Sequence, residues 1–411
     1  MQEIKGKEYN ERSEYKLTMH PSEELRGSKG SDLSDKKIIL GVTGSIAAVE
    51  SVKLVRELIR EGAEVHCVVS DWGSKIIHPN SLEFASGNET ITELSGQVEH
   101  VSHCGNVPDK ADLFLVAPAT ANTISKMAKG IDDTPVTTFA TTCVGSDIPI
   151  MVVPAMHQTM YNHPIVMDNL KELQDKLDVT VVGPKIEEGA AKVAERDQIV
   201  DAVIRELHDE LEGEHITVIT GRTVEPMDSM RVLTNRASGK SGVELAKKAY
   251  RRGAQVEIWH GEVKTEVPHW IPNRSFESID DLMEMSSELE GTVIVPAALS
   301  DFKPMSRREE KISSSETLNL ELEPTPKFID EIRDQVGFLI AYKAEDSREK
   351  AADKAEKMVD EGRADLVVAN SLEDVSLEEN RVYITGENQW VEGNKRKIAE
   401  KILDRLEREL R

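Results

Sequence analysis

The chain of 411 residues predicts an α/β fold made of two doubly wound, Rossmann-like domains that follow one another. Short hydrophobic runs typical of buried strands alternate with stretches in which apolar residues recur at helical spacing. The same plan of strand, glycine-containing loop and helix opens twice, at residues 37–62 and again at residues 216–253. Length alone also predicts two or more domains. Each half therefore starts a nucleotide-type unit of its own.

Composition excludes several classes of function. The chain carries 75 acidic and 51 basic residues, a formal net charge of −24, which repels nucleic acid and anionic membrane surfaces. No run approaches the length of a membrane span, and the N-terminus lacks an apolar signal core. Three cysteines without C-x-x-C spacing indicate neither a disulfide framework nor a zinc site. We therefore expect a cytoplasmic protein without nucleic-acid or membrane partners.

Two segments mark the domain boundaries. Residues 1–35 are charged, contain Gly and Ser and lack a sustained apolar period, which predicts a flexible N-terminal extension. Residues 212–214 follow a charged helical stretch and predict the linker between the domains. We therefore expect domains at residues 36–212 and 213–411.

Two predicted strands in the first half run into loops suited to a ligand. Residues 37–42 are followed by Gly44 and Ser45, which can offer backbone and hydroxyl groups to a phosphate at a helix start. The strand at residues 112–116 enters a small-residue loop, 117–123, which allows a flat ring to lie close to the backbone. A lone glycine turn also has a purely structural explanation, so the two loops are informative only together.

The second half opens on a long polar loop. Residues 216–219 predict a buried strand that ends in the Thr220-Gly221 turn, where the backbone can approach a ligand. The following loop carries Arg222 and Lys240, is longer than a G-x-G-x-x-G turn and lacks the P-loop spacing. Such a loop indicates an anion held by backbone and basic side chains, and a merely structural loop is the alternative.

A second ligand-facing stretch follows in the same half. Residues 293–295 predict a strand that delivers a loop carrying Asp301, and residues 302–317 are polar, carry Lys311 and predict a mobile flap. The alternation of leucines at 318–322 predicts a strand. Beyond the flap we expect two more strands and a charged helix, at residues 339–342, 365–370 and 347–361.

Several of these segments closely resemble one known family. In the second half the resemblance is carried by Thr220-Gly221, Glu225-Pro226-Met227-Asp228, Arg231, Thr234-Asn235 and residues 238–242. In the first half, loops 41–48, 117–123 and 154–161 resemble signatures of the flavin-dependent cysteine decarboxylases. From about Lys36 to its end the chain resembles the bifunctional phosphopantothenoylcysteine decarboxylase/phosphopantothenate–cysteine ligases of coenzyme A biosynthesis, in an archaeal-like form. The resemblance implies a flavodoxin-like flavoprotein domain followed by a ligase domain.

The resemblance implies two successive reactions. CTP, with Mg²⁺, activates the carboxylate of 4′-phosphopantothenate as an acyl-cytidylate, which the amine of cysteine attacks. Bound FMN then oxidises the thiol of the product to a thioaldehyde, CO₂ leaves to give an enethiolate, and reduced FMN returns the electrons to form 4′-phosphopantetheine. The resemblance also implies a homo-oligomer, with trimers through the flavin half and dimers through the ligase half.

The resemblance assigns roles to individual residues. His100 matches the active-site base of the decarboxylases, Asn235 the residue that holds the acyl intermediate, and Lys311 the flap lysine that meets developing phosphate charge. The implied FMN contacts are Gly44, Ser45, Ile46, Ser70, Ala119, Thr120, Asn122 and Met156. The implied nucleotide contacts are Ala297, Ala298, Asp301, Lys311, Pro326, Lys327, Phe328, Ile329, Tyr342 and Lys357.

The first half departs from the decarboxylase pattern at two places. His157 stands where the family has Asn, and the family's clamp cysteine is replaced near Ala190. We interpret His157 as the substitute proton donor, because an imidazolium can pair with a carboxylate and release a proton near neutral pH. Cys67 is predicted to be a core thiol, whereas Cys104 and Cys143 remain less favoured alternatives to His157.

The second half also departs from its pattern, and other functions stay open. Tyr342 stands where the family has Phe, and Glu361 about where it has a second lysine, so ATP remains an alternative to CTP. In a second interpretation only the ligase is active and the flavin-like half is an assembly module. A flavin oxidoreductase of unrelated substrate and a nucleotide sensor without turnover are further alternatives. No metal ligands are predicted.

Overall fold

The computed structural model describes residues 20–187, 190–312, 318–374, 379–387 and 389–411, with the side chains of residues 185–192 and 372 excepted. The chain divides into two compact units, the first ending at Leu207 and the second starting at His208, a few residues before the predicted linker. Each unit has its own sheets and its own hydrophobic cores.

The first unit is built on a parallel sheet. Its strands are β1 (Lys37–Val42), β2 (Glu64–Val69), β3 (Leu113–Ala119), β4 (Ile150–Pro154), β5 (Met156–His157), β6 (Thr180–Val181), β7 (Lys185–Glu187) and β8 (Ala190–Lys192). Five of them form the parallel sheet in the order β2-β1-β3-β4-β6. The other three form a small antiparallel sheet in the order β5-β8-β7. The order of the larger sheet is that of the flavodoxin-like fold.

Helices cover both faces of this sheet. They are α1 (Pro21–Leu25), α2 (Ser51–Arg60), α3 (Asp71–Ser74), α4 (Pro79–Ser86), α5 (Glu99–Cys104), α6 (Ala121–Ala128), α7 (Pro135–Gly145), α8 (Gln158–Tyr161), α9 (Pro164–Leu177) and α10 (Arg196–Glu206), with a 3-10 helix at Ile46–Glu50. On one face Leu40 packs in a core with Val55 and Leu58, and on the other Phe114 packs in a core with Phe139. All of β3 is buried, which explains why its sequence is a nearly continuous apolar run.

The segment before β1 differs from the predicted flexible extension. Residues 1–19 lie outside the described residues, but residues 21–25 form α1 and Leu33 is completely buried. The backbone here is tied to the end of α2, because Gly27 N donates to Ile59 O at 3.0 Å and Leu33 N donates to Glu61 O at 2.8 Å. The polar composition hides this packing, since it rests on backbone hydrogen bonds and two leucines, Leu25 and Leu33.

The second unit contains a larger, mixed sheet. Its strands are β9 (His215–Thr220), β10 (Val224–Pro226), β11 (Val232–Thr234), β12 (Gln255–His260), β13 (Asn273–Ser275), β14 (Thr292–Val295), β15 (Phe302–Pro304), β16 (Leu322–Pro324), β17 (Phe338–Glu345), β18 (Leu366–Ser371), β19 (Glu379–Ile384) and β20 (Trp390–Asn394). Eight of them pair in the order β13-β12-β9-β14-β17-β18-β19-β20. The first six run parallel, in the doubly wound order 3-2-1-4-5-6 when numbered along the chain. The last two add an antiparallel hairpin at the edge.

Helices and two hairpins complete the second unit. The helices are α11 (Lys240–Arg251), α12 (Ile279–Met285), α13 (Phe328–Ile332), α14 (Arg348–Asp360) and α15 (Lys395–Leu410), with 3-10 turns at Ser286–Glu288 and Leu372–Asp374. Strand β10 pairs with β11, and β15 pairs with β16, both antiparallel. The predicted strand at 318–322 is wrong in extent: only Leu322–Pro324 is a strand, because its partner β15 is three residues long.

The helices of the described residues include none that combines the length and the apolar character needed to cross a membrane.

Candidate active sites

The first candidate site lies at the carboxyl edge of the five-stranded sheet. Strand β1 lies between β2 and β3, so the chain leaves it in opposite directions and opens a crevice at the carboxyl ends of β1 and β3. Three helices start at this edge, and a hydroxyl group caps each of them. The caps are Ser45 for the 3-10 helix, Ser70 for α3 and Thr120 for α6. Backbone N–H groups at such helix starts can bind phosphate.

Thr43 connects the first two loops of this edge. Its side chain is buried and donates to Pro118 O at 2.7 Å, while Thr120 N donates to Thr43 Oγ1 at 3.1 Å. The loops after β1 and β3 are therefore fixed to each other. In the sequence, Thr43 stands out only by its place in the segment 41–48, because its hydrogen-bond partners are more than 70 residues away along the chain.

The predicted FMN contacts occupy this edge. Gly44 leaves no room for a side chain, because a Cβ there would lie 2.4 Å from Trp72 Cβ. Ala119 is buried, and its carbonyl accepts from Ala155 N at 3.0 Å, which brings the loop after β4 to the same place. The remaining contacts are Ile46 and Asn122, both exposed, and Met156, half-buried. Small residues and hydroxyl-capped helix starts thus meet at one edge, an arrangement that can accept a flat phosphorylated ring.

His100 lies in the first turn of α5 and is half-buried. Its Nδ1 atom is buried and has no hydrogen-bond partner among the described residues. Buried polar atoms are nearly always paired. The ring is therefore suited to take a partner from a bound ligand.

His157 is exposed, and its ring caps α8. Nδ1 accepts from Thr159 N at 3.3 Å and lies 2.9 Å from Thr159 Oγ1. Accepting the backbone N–H requires an unprotonated Nδ1, which assigns the proton of the neutral ring to Nε2. Backbone pairing places Ala190 opposite His157. The side chains around Ala190, where the clamp cysteine is missing, lie outside the described part of the chain.

All three cysteines are buried. Burial raises the pKa of the Cys67 thiol in β2 to about 12, in agreement with the predicted core thiol. Cys104 and Cys143 lie in one core, and a hydrogen bond from Cys104 together with burial raises the pKa of the Cys143 thiol. A buried, protonated thiol is a poor proton donor to a substrate at the sheet edge.

The second candidate site lies where β9 and β14 diverge. Strand β9 lies between β12 and β14, and its carboxyl end passes into Gly221, whose φ is +84°. Ala298 N, in the loop after β14, donates to Gly221 O at 2.9 Å. A Cβ on Gly242 would lie 2.2 Å from Thr220 Oγ1, so α11 can cross β9 closely only with glycine there.

Asn235, the predicted acyl-binding residue, lies in the loop between β11 and α11, part of the predicted nucleotide loop. Its side chain is exposed, and Nδ2 donates to Ala298 O at 3.0 Å and to Leu299 O at 3.4 Å. The buried Arg222 fixes the Asn235 backbone by donating to its carbonyl at 3.1 Å, and it pairs with Glu262 at 2.7 Å. The predicted acyl-binding amide and the predicted nucleotide loop are thus in contact.

Other predicted nucleotide contacts lie near this loop. Asp301 and Lys327 form an exposed ion pair, and Thr325 N donates to Asp301 O at 3.0 Å. Pro326 is exposed, whereas Phe328 is buried and Ile329 packs against the same core. Exposed ion pairs of this kind contribute little to stability, so a phosphate or a metal ion can replace either partner at small cost.

The structure separates Tyr342 and Lys357. Tyr342 packs against the core under α15, and burial raises the pKa of its phenol, whereas Lys357 lies on α14, which packs with Phe328 in the core of the opposite face. Lys357 is exposed and pairs with Glu361 at 3.5 Å. The two predicted contacts therefore do not meet in this chain.

Lys311 is exposed, and the flap that carries it is described up to Ile312. Residues 313–317 of the predicted flap lie outside the described residues. Ala297 and Ala298 are half-buried at the end of β14. Within the described residues, no group of three or more His, Cys, Asp or Glu side chains is arranged to hold a metal ion.

Comparison with known proteins agrees with this two-part arrangement. A family described as Flavoprotein matches residues 26–208, and one described as DNA/pantothenate metabolism flavoprotein C-terminal domain matches residues 211–410. The coenzyme A biosynthesis bifunctional protein CoaBC of Thermococcus kodakarensis is 47% identical over 406 residues, 95% of this chain and 100% of that protein. Its counterpart in Methanocaldococcus jannaschii is 37% identical over 95% of this chain and 98% of that protein.

Among solved structures, the DNA/pantothenate metabolism flavoprotein from Streptococcus pneumoniae is 26% identical, with a TM-score of 0.42, over 47% of this chain and 98% of that one. The full-length relatives decide the assignment. The chain belongs to the family of coenzyme A biosynthesis bifunctional proteins, with a flavoprotein domain followed by a pantothenate-metabolism C-terminal domain.

Proposed function

We propose that the second unit joins 4′-phosphopantothenate to cysteine with CTP and Mg²⁺, and that the first unit decarboxylates the product with FMN to give 4′-phosphopantetheine. The observation that carries the proposal is the 3.0 Å hydrogen bond from Asn235 Nδ2 to Ala298 O, in a chain whose full-length relatives are named for coenzyme A biosynthesis.

In the ligase unit the residues supply binding and charge. Asn235 holds the acyl group beside the loop after β14, where Ala298 and Asp301 contact the nucleotide. Lys327 and Asp301, which pair with each other here, would contact the triphosphate and its Mg²⁺. Lys311 meets the charge that develops on the phosphate as the carboxylate is activated, a contribution of a few kcal/mol in comparable sites.

In the flavoprotein unit the hydroxyl-capped helix starts would hold the phosphate of FMN, and Ala119 would let the ring approach the backbone. FMN supplies an electron sink when bound. His100 acts at the decarboxylation step through Nδ1, which lacks a protein partner among the described residues. Once its ring has left the cap of α8 and taken up a proton at Nδ1, His157 would pair with the substrate carboxylate as an imidazolium and later return a proton.

Assembly and location are part of the proposal. Exposed apolar side chains on the first unit (Ile46 and Trp72 at the first site, and Phe84 elsewhere) and on the hairpins of the second unit (Met230, Phe302 and Met305) support a homo-oligomer, which we place in the cytoplasm. Trimers would form through the first unit and dimers through the second.

The test is to incubate the purified protein with 4′-phosphopantothenate, cysteine, CTP and Mg²⁺ and to follow the products by mass. Formation of 4′-phosphopantetheine is expected. Accumulation of 4′-phosphopantothenoylcysteine by a protein without releasable flavin would favour the ligase-only alternative, and an equal rate with ATP would overturn the choice of CTP.

A further inference from the structure

Asp228 belongs to the Glu-Pro-Met-Asp segment of the second unit. Its carboxylate is fully buried and makes more hydrogen bonds than the turn that contains it requires. Its side chain is 0% exposed. Oδ1 accepts from Met230 N and Arg231 N, both at 2.7 Å, and so closes the turn between β10 and β11. Oδ2 instead accepts from Ile312 N at 2.9 Å, across 84 residues of sequence. One oxygen therefore holds the turn, and the other holds the flap.

Arg231 completes the attachment of the flap. Its Nη1 donates to Asp228 Oδ2 at 3.1 Å and to Ile312 O at 2.9 Å, so both polar groups of the Ile312 backbone are bound by one ion pair. A second hydrogen bond, from Arg308 N to Met227 O at 3.1 Å, ties the flap to the same turn.

The attachment point lies next to the flap lysine. Ile312 is 8% exposed, whereas residues 305–311, including Lys311, are exposed. The Cα atoms of neighbouring residues are about 3.8 Å apart, so fixing the Ile312 backbone also fixes the backbone from which the Lys311 side chain extends. Without this contact, the Lys311 ammonium group is positioned only by the exposed residues 305–311 and their hydrogen bond at Arg308.

We propose that Asp228 is a positioning residue of the ligase, which acts through Lys311 by latching the flap to the β10–β11 turn. The inference rests on the proposed ligase function. The hydrogen bonds, with that from Ile312 N the largest contribution, hold the pKa of Asp228 at about 2, against an ordinary 3.8. The latch therefore carries its full charge at neutral pH.

Asp228→Asn is chosen because it should break the contact with the flap while it keeps the contact with the turn. The remaining amide oxygen can still accept from Met230 N and Arg231 N, but the new NH₂ group faces the two donors that Oδ2 accepted. Asp365→Asn is the matched control, because Asp365 also accepts from a distant backbone N–H, that of Leu339 at 2.7 Å, and from an arginine, Arg333 at 2.8 Å.

Steady-state ligase kinetics give the first readout. In Asp228→Asn we expect kcat to fall about tenfold or more, because small displacements of a catalytic group are costly, while KM for CTP stays within about threefold. If Asp228 acts through Lys311, the same substitution in a Lys311→Gln background lowers kcat no further. An equal loss in both backgrounds overturns the proposal.

Limited trypsin digestion gives a readout that needs no activity. Cleavage after Arg307, Arg308 and Lys311 should be faster in Asp228→Asn than in wild type or Asp365→Asn, and an unchanged rate overturns the latch. Ile312→Pro, which removes the donor from the other side, should reproduce the faster cleavage after Arg307 and Arg308 and the loss of kcat. A wild type without ligation product removes the proposed function, while the digestion still decides whether Asp228 holds the flap.

Discussion

Single polar atoms decide how the two candidate sites are assembled. Asn235 joins two loops through its side-chain NH₂ group, and Thr43 joins two others through its hydroxyl group. Each bond connects segments more than 60 residues apart, so its loss leaves neighbouring strands intact but frees a loop. We therefore expect substitutions at these residues to affect catalysis more than stability.

Asn235→Asp is expected to cripple ligation. The change removes the donor to Ala298 O and places a negative charge beside a carbonyl and an anionic intermediate, which should lower the ligation rate about a hundredfold or more. The measurement is the rate of 4′-phosphopantothenoylcysteine formation, with releasable flavin as a second readout that should not change.

Asn273→Asp is the matched control for this variant, since Asn273 Nδ2 also donates to a backbone carbonyl, that of Ile271 at 3.1 Å. Full ligase activity in Asn235→Asp would remove the assigned role.

His157→Asn tests the proposed substitute for the clamp cysteine. An asparagine can keep the cap of α8 but cannot deliver a proton, so we expect reductive turnover to 4′-phosphopantetheine to slow while the oxidised product accumulates. The rate should survive Cys104→Ser and Cys143→Ser, because both thiols are buried in the core. Unchanged turnover in His157→Asn, or a wild type that makes only the oxidised enethiol, would contradict this role.

The site residues that sequence predicts and those it misses differ in a physical way. Asn235 and Gly44 lie inside recognisable segments, and their position along the chain is enough to place them. The partners of Thr43 and Asp228 depend on which strands and hairpins become neighbours. Tyr342 and Lys357 show the same limit, because a linear pattern does not say that they fall on opposite faces of the sheet.

At the scale of elements, the buried parallel strands are the easiest to predict. Strands β1, β3 and β9 are apolar runs because helices cover both of their faces. The edge hairpin of β19 and β20 is different: its buried apolar run, residues 382–384, is only three residues long, and the rest of the hairpin carries mostly polar and charged residues. No sequence pattern predicts it, since its place in the sheet depends on pairing with β18.

The crossing of α11 over β9 allows a prediction at this scale. In Gly242→Ala the added methyl group would overlap Thr220 Oγ1, which is buried and donates to Gly239 O at 3.0 Å. The helix must move or the hydroxyl must turn away, at a cost of about 1–3 kcal/mol. We expect a lower urea midpoint for the second unit and reduced ligase activity, because the loop that carries Asn235 ends where α11 begins.

Gly337→Ala is the control for this effect, since a Cβ there meets its nearest neighbour, Gly291 O, at an ordinary 3.4 Å. Equal midpoints for the two variants would show that the crossing has room to spare.

At the scale of the whole molecule, one polypeptide holds two compact units, each about the size of a small enzyme. Each has its own doubly wound sheet, its own switch point and its own cores. The proposed reactions are successive, so the product of the second unit is the substrate of the first. Since each candidate site is built within a single unit, we expect the intermediate to be released into solution and bound again.

A mixing experiment tests this independence. Asn235→Asp should retain the decarboxylase but lack the ligase, and His100→Asn should retain the ligase but lack the decarboxylase. Neither variant alone is expected to convert 4′-phosphopantothenate, cysteine and CTP to 4′-phosphopantetheine, whereas an equimolar mixture should do so, because one protein releases the intermediate that the other consumes. Product formed by the mixture should rise after a lag that shortens with protein concentration, as a freely diffusing intermediate requires. If each variant keeps its own half-reaction on supplied substrate but the mixture makes no 4′-phosphopantetheine, the intermediate does not leave the protein and the two units are coupled.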